Sequence, residues 1–265
     1  MTKPYRLIDI GCRWGFAERF LQTDQLVEIY GFDPDEVECN RLRDHYSDPR
    51  VTLIPQALAG QAGNRTLHLT QEPACSSLLL PDPLLTQNLP ALSCARKVGE
   101  QQIVVTTLDL WAQSTGTQAA DFLKLDTQGT ELEILQGGAH LLQTVAAVEL
   151  EVEFNPIYLG QPLYQDVAQY LYGQGFVLWR LENMVHYSEL PQPGPLLGQD
   201  FIYHDLHHRE PVSRYAGQLY WANCLFVRQS LLQPGISANE AKRYGSLFDL
   251  LGYVDISAQI RGALK

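Results

Sequence analysis

Within DFLKLDTQGTE, residues 121–131, Lys124 and Asp126 stand two apart and Glu131 follows. If this segment is a strand, Lys124 and Asp126 share one of its faces. Further on, VELEVEF sets Glu149, Glu151 and Glu153 alternately with Val148, Leu150, Val152 and Phe154. Three carboxylates on one strand face are costly unless they are paired or sit at the strand's end. Glu151 and Glu153 are nearest that end. Acids and a lysine gathered at the ends of adjoining strands can perform proton chemistry. A positioned base that removes the proton of a weak nucleophile contributes about 10²–10⁴-fold. The catalytic candidates are therefore Lys124, Asp126 and Glu151. Asp126 would lie beside the group being transferred. Glu151 would be the general base or an anchor for the acceptor. Lys124 would neutralise a carboxylate or, with a depressed pKa, accept the proton. The same spacing also suits a structural ion pair of Lys124 with Glu151 or Glu131.

Asp126, Glu151 and Glu153 offer oxygen ligands of the kind Mg²⁺ prefers. Their spacing is not diagnostic, and no metal ligands are assigned. YHDLHHRE supplies His204, His207 and His208 beside Asp205 and Glu210 without a recognised zinc spacing. It reads as a substrate-side segment. Tyr187, Phe201 and Tyr203 could line a pocket there. His45, His68 and His140 read as structural or surface residues.

The elements that would position these groups follow from periodicity. RLIDI, VEIYGFDPD, RVTLIPQAL, DFLKLD, VAAVELEVEF, FVLWRL and QLYWANCLFVR read as seven strands. Helices are expected over CRWGFAERFLQ, over residues 36–46 with Val37 and Leu42 turned inward, from Thr130, and over PLYQDVAQYLYGQG. Gly173 or Gly175 would close the last of these as a left-handed cap. SANE, residues 237–240, is a capping box that opens a final helix. Strands alternating with helices imply a mostly parallel sheet covered on both faces. The last two strands lack a crossover helix, so one is expected to run antiparallel. Residues 73–100 and 182–217 break the rhythm and read as insertions. The expected division is a domain over 1–230 whose two insertions cap the acceptor side, followed by a helical extension over 231–265.

DIGCRWG places Gly11 and Gly15 between the first strand and its helix, where free N–H groups favour negative charge. A dinucleotide fingerprint needs a middle glycine that is missing here. The turn suits S-adenosylmethionine instead, with Asp9 facing its ammonium group. Asp33, ending the second strand, would accept bonds from ribose hydroxyls, a feature common to both cofactors.

FLKLDTQGTELEILQGG with VAAVELEVEFNPIYLGQPLYQDVAQYLYGQGFVLWRL resembles the FkbM family of class I methyltransferases. So do VTLIPQALAGQAGNRTLHL with CSSLLL, and TTLDLW with Asp109. The K-x-D-x-x-G-x-E pattern at Lys124, Asp126, Gly129 and Glu131 is the most specific part. The resemblance implies a Rossmann-like seven-stranded fold and S-adenosylmethionine as donor. It also implies O-methylation of a hydroxyl on a sugar, polyketide or related metabolite, by in-line transfer. The donor-binding set is then Asp9, Gly11, Arg13, Gly15, Asp33, Pro34, Gln56, Ala57 and Asp126. Ser76 and Ser77 would bond the donor's carboxylate or cap a helix. Asn223 stands where the family often has an acidic residue. Competing readings are N- or carboxyl-methylation of a peptide or metabolite, and a non-catalytic binding module that keeps the fold.

Net charge is −11 with pI about 5.0, and no Lys/Arg cluster occurs. This opposes nucleic acid and anionic membranes as partners and favours a small-molecule acceptor. Five scattered cysteines without C-x-x-C read as reduced thiols in a cytoplasmic protein. No signal peptide or membrane span is read. The apolar SLFDLLGYVDI could cover a second copy as easily as its own core.

Overall fold

The computed structural model describes residues 3–187, 196–203, 209–215 and 217–262. Seven strands form one sheet: β1 (Tyr5–Ile10), β2 (Val27–Phe32), β3 (Val51–Ile54), β7 (Phe122–Leu125), β8 (Ala147–Glu153), β9 (Phe176–Tyr187) and β12 (Gln218–Arg228). Their order is β3-β2-β1-β7-β8-β12-β9. β12 runs antiparallel to both β8 and β9, and the other neighbouring pairs are parallel. All seven correspond to the strands read from the sequence, including one reversed strand.

The boundaries differ where local chemistry intervenes. Pro55 interrupts the third predicted strand. β3 ends at Ile54, and Ala57–Leu58 (β4) joins a separate sheet, ordered β4-β6-β5, with β5 (Gly63–Thr70) and β6 (Lys97–Thr106). β5 and β6 are a hairpin that the sequence reading passed over, and β6 begins inside the 73–100 segment. β9 extends six residues past Leu181, so the stretch after 182 begins as strand. β10 (Leu196–Tyr203) and β11 (Arg209–Tyr215) then pair with each other. His204, Asp205, His207, His208 and the prolines at 191, 193 and 195 lie outside the described residues. So do the side chains of Phe201, Tyr203, Glu210 and Tyr215.

Helices cover both faces. Leu108–Thr115 (α4), Glu131–Gly137 (α5) and Tyr164–Gly173 (α7) pack on Ile8, Ile10, Leu123, Leu125, Val148 and Leu150. Glu18–Leu21 (α1), Glu36–Tyr46 (α2), Ala238–Leu251 (α8) and Val254–Gly262 (α9) cover Leu7, Ile29 and Phe122 on the other face. Short helices Pro83–Asn88 (α3) and Ala139–Leu142 (α6) complete the set. Ser237 and Glu240 form the expected capping box of α8. Gly175, with φ 81°, ends the turn after α7. The apolar Leu247, Phe248, Leu251, Tyr253 and Ile256 are buried in this chain's own core.

The first predicted helix is cut to one turn, because residues 11–17 form a loop. Gly11 (φ 87°) and Gly15 (φ 82°) hold left-handed backbone there. Val37 is 78 % exposed, and Cys39 joins Leu42 as the buried side of α2.

Candidate functional site

A cleft of about 960 Å³ opens at the carboxyl ends of β1, β2, β7 and β8. Open α/β sheets place ligands there. One half is lined by Gly11, Arg13, Asp33, Pro34, Gln56, Ala57 and Leu58. The other half is lined by Thr70, Cys75, Ser77, Asp126, Gln128, Glu151 and Trp221. Trp14, Val37 and Val98 also line it and remain mostly exposed, so the mouth has an apolar rim.

Gly11 is required by a close approach. A Cβ there would collide with the Asp126 carbonyl oxygen, and Asp126 N–H donates to Ile10 O at 2.9 Å. This contact ties the end of β1 to the end of β7. Gly15 has another purpose. A Cβ there would collide with the Tyr46 hydroxyl, which accepts the Phe16 N–H at 2.8 Å. Gly15 therefore packs the loop onto α2 and does not line the cleft.

Asp33 is buried, and its Oδ1 accepts the Asp35 N–H at 2.8 Å. Burial raises its pKa, opposed by that bond and by the Arg13 guanidinium 3.8 Å away. Arg13 also pairs with Asp35 at 3.0 Å, and Asp35 caps α2 by accepting from Val37 and Glu38 N–H groups. Arg13 thus braces the acidic end of β2.

Asp9 and Lys124 are neighbours across β1 and β7, and they pair with each other at 3.1 Å. Neither lines the cleft. Burial raises Asp9 to a pKa of about 6, with Lys124 pulling the other way. Burial alone would lower the Lys124 pKa, but Asp9 and Asp126 outweigh it and hold the ammonium charged. The expectation of a depressed Lys124 acting as proton acceptor is corrected, because the carboxylates around it stabilise its charge. Its ion-pair partner is Asp9, not Glu151 or Glu131. Asp9, expected from the sequence to face the cofactor's ammonium group, is buried here and its Oδ1 accepts from Lys124.

The three β8 glutamates part company. Glu149 accepts from the Tyr253 hydroxyl at 2.9 Å, away from the cleft. Glu153 is 2 % exposed, and burial with the neighbouring Glu131 and Glu151 raises its pKa far above the ordinary value. Glu151 lines the cleft. Burial, then the charges of Asp126 and Glu131, raise its pKa to about 8.

Gln128 links the acids. Its Nε2 donates to Asp126 Oδ1 at 3.0 Å and to Glu151 Oε1 at 3.1 Å. The Tyr158 hydroxyl shares its single proton between two acceptors, Gln128 Oε1 at 3.0 Å and Cys75 O at 2.7 Å. Gln128 adopts φ 59°, a left-handed conformation that costs a non-glycine residue about 1–2 kcal/mol. Glu131 stabilises the turn, since its Oε1 accepts from Thr127 N–H (2.7 Å), Thr127 Oγ1 (2.9 Å) and Gly129 N–H (3.3 Å). The most specific sequence motif thus divides into two jobs: Asp126 faces the cleft and Glu131 shapes the loop that carries it.

Ser77 Oγ donates to Gln128 O at 2.8 Å, and Ser76 Oγ accepts from Thr70 N–H at 3.2 Å. Both also line the cleft. Tyr187 does not; its hydroxyl accepts from Trp221 Nε1 at 3.1 Å, and Trp221 is the aromatic that reaches the cleft wall. Gln128, Tyr158 and Trp221 were missed as site residues. The DTQG turn after β7 was the available signal for Gln128. No local pattern marks Trp221. Among the described residues no three His, Cys, Asp or Glu side chains are grouped as a metal-binding set.

A seven-stranded sheet of this order, with a glycine turn after β1 and a buried aspartate after β2, defines a class I methyltransferase fold. Residues 9–178 match the family model described as a methyltransferase FkbM domain, and the chain belongs to that family. It is an S-adenosylmethionine-dependent methyltransferase. Among curated proteins it is similar to the 2-O-methyltransferase NoeI of Sinorhizobium fredii, 26 % identical over 190 residues. That match covers 66 % of this chain and 78 % of the relative. Among solved structures it is similar to methyltransferase FkbM from Methylobacillus flagellatus, with TM-score 0.44, 13 % identity and 84 % of this chain covered. The chain spans 43 % of that protein's length. It is also similar to magnesium protoporphyrin IX methyltransferase from Synechocystis, with TM-score 0.39, 13 % identity, and 85 % and 70 % coverage. No helix of the described residues is long and apolar enough to cross a membrane.

Proposed function

We propose that the protein methylates a hydroxyl group of a small molecule such as a sugar, polyketide or peptide-derived metabolite. The observation that carries this reading is the row Asp126–Gln128–Glu151, which lines the cleft beside Gly11 at the ends of β7 and β8. The similarity to a 2-O-methyltransferase supports a hydroxyl acceptor.

The residues present fit the donor. Asp33 offers a carboxylate to a ribose diol, and Pro34, Ala57 and Leu58 offer apolar surface to a nucleobase. The Gly11 turn lets backbone approach closely. Gly11, Arg13, Asp33, Pro34, Gln56, Ala57 and Asp126 would hold it. When bound, S-adenosylmethionine supplies an electrophilic methyl on a sulfonium. Asp126 places a negative charge in the donor-facing wall, which favours a cationic donor over its neutral product. Glu151 accepts the proton of the acceptor hydroxyl as the new bond forms. Gln128 and Asp126 line the floor between the two halves and position the reactants, which is the larger part of catalysis for a displacement of this kind. Cys75, Ser77 and Trp221 shape the acceptor half. The acidic chain favours a small acceptor over nucleic acid, in a cytoplasmic setting.

Radiolabelled S-adenosylmethionine, incubated with glycosides, polyketide alcohols, amines and carboxylic acids, tests the proposal. Parallel reactions contain Mg²⁺ or a chelator. Label on a hydroxyl compound, unaffected by the chelator, is expected. Label confined to amines or carboxylates contradicts it.

A further inference from the structure

We infer that Gln128 is a positioning residue that clamps Asp126 and Glu151 together and orients the Glu151 carboxylate for proton transfer. This rests on Glu151 being the base. A carboxamide has two N–H donors and one carbonyl acceptor. Here each donor serves a different carboxylate, Asp126 Oδ1 at 3.0 Å and Glu151 Oε1 at 3.1 Å. The carbonyl faces the Tyr158 hydroxyl at 3.0 Å, and that hydroxyl also reaches Cys75 O at 2.7 Å. Tyr158 is fully buried, so it fixes which end of the amide meets the acids. The reversed amide would set its carbonyl oxygen against Asp126 Oδ1, two acceptors facing each other, and would give up both N–H bonds to the acids.

The backbone is built to support this. Gln128 keeps its left-handed conformation because its carbonyl accepts from Ser77 Oγ and the N–H groups on either side of it are held by Glu131. A residue held in such a conformation from two sides, by Ser77 and by Glu131, is a device for aiming a side chain.

The charges around Glu151 explain why an aimed donor matters. Asp126 and Lys124 from β7, Glu131 from α5, and Glu153 from β8 itself all interact with it. Cys75, Tyr158 and Tyr187 lie near it as neutral groups. Asp126 and Glu131 oppose its ionisation, and the one cation that favours it, Lys124, is paired with Asp9. Gln128 supplies the hydrogen bond that favours the carboxylate. Removing it keeps Glu151 protonated to higher pH.

The test follows the Glu151 carboxyl carbon by NMR in ¹³C-glutamate-labelled full-length protein, with the resonance identified by its loss in Glu151→Gln. In wild type the resonance is expected to titrate well above the ordinary glutamate range, near pH 8. Gln128→Leu is expected to make Glu151 at least about threefold weaker as an acid, a rise of about half a pH unit. Tyr158→Phe, which frees the amide to turn, is expected to move it the same way by less, and it serves alone if Gln128→Leu does not fold. A Glu151 titration unmoved in the folded variants overturns the role of Gln128 while leaving Glu151 as base. Full methyl transfer by Glu151→Gln instead overturns the base, whatever the titration shows.

Discussion

Replacing Glu151 by glutamine keeps the side chain's size and removes its ability to take a proton. The side chain is held among Asp126, Gln128 and Glu131, so the exchange leaves the cleft walls in place. If Glu151 is the base, kcat falls by about 10²–10⁴, equivalent to roughly 3–5.5 kcal/mol of barrier. The pH dependence sharpens the test. With a pKa of about 8, roughly a tenth of the free enzyme carries an ionised Glu151 at pH 7. Wild-type kcat/KM for the acceptor should therefore rise about tenfold from pH 7 to a plateau above pH 9. A bound sulfonium nearby moves the limb to lower pH in the donor-saturated enzyme. The assay is transfer of labelled methyl to the best hydroxyl acceptor between pH 6 and 10, with S-adenosylhomocysteine affinity as the control. A Glu151→Gln enzyme within about threefold of wild type, or one that retains the same pH limb, refutes the reasoning.

Glu151 also predicts a stability signature. Unfolded, it ionises near 4.5; folded, near 8. Its contribution is therefore full below pH 4.5 and is lost as pH rises toward 8. The Tm of Glu151→Gln relative to wild type should climb from pH 5 to 8 and then level off; a constant difference contradicts this. Asp33→Asn loses charge-assisted bonds to the ribose, so S-adenosylhomocysteine should bind about 10–100-fold more weakly by calorimetry. Affinity within threefold of wild type removes that role. Gly15→Ala must adopt a left-handed φ and displace Tyr46, costing about 2–3 kcal/mol by denaturant unfolding while leaving product affinity unchanged. A large affinity loss would return Gly15 to the cofactor site. Glu131→Ala strands three donors in a buried turn, for a cost of about 3 kcal/mol and a Tm drop of roughly 6–12 °C. An unchanged Tm contradicts its structural role.

The main sheet was readable because parallel strands buried on both faces carry continuous apolar runs, as RLIDI and VAAVEL do. The β5–β6 hairpin was not, since its strands are half exposed, with Asn64, Glu100 and Gln101 breaking the apolar run. Strand alternation correctly put Glu149, Glu151 and Glu153 on one face. It could not show that one would meet Tyr253, one the cleft and one a sealed interior, because those partners are distant in sequence. Lys124 and Asp9 were both singled out, yet their pairing depends on β7 lying beside β1, a consequence of the crossover. Gly11 and Gly15 look alike in a motif. Only the neighbours a Cβ would meet, Asp126 backbone for one and Tyr46 for the other, separate a glycine of the cleft from a glycine of packing.

Calorimetric titration of the protein with S-adenosylhomocysteine, with NAD run beside it, tests the central claim most directly. The Gly11 turn, Asp33 and the missing middle glycine predict saturable binding of the first and none of the second. Binding of neither, or of NAD alone, would contradict the account and remove the chemistry assigned to Asp126 and Glu151.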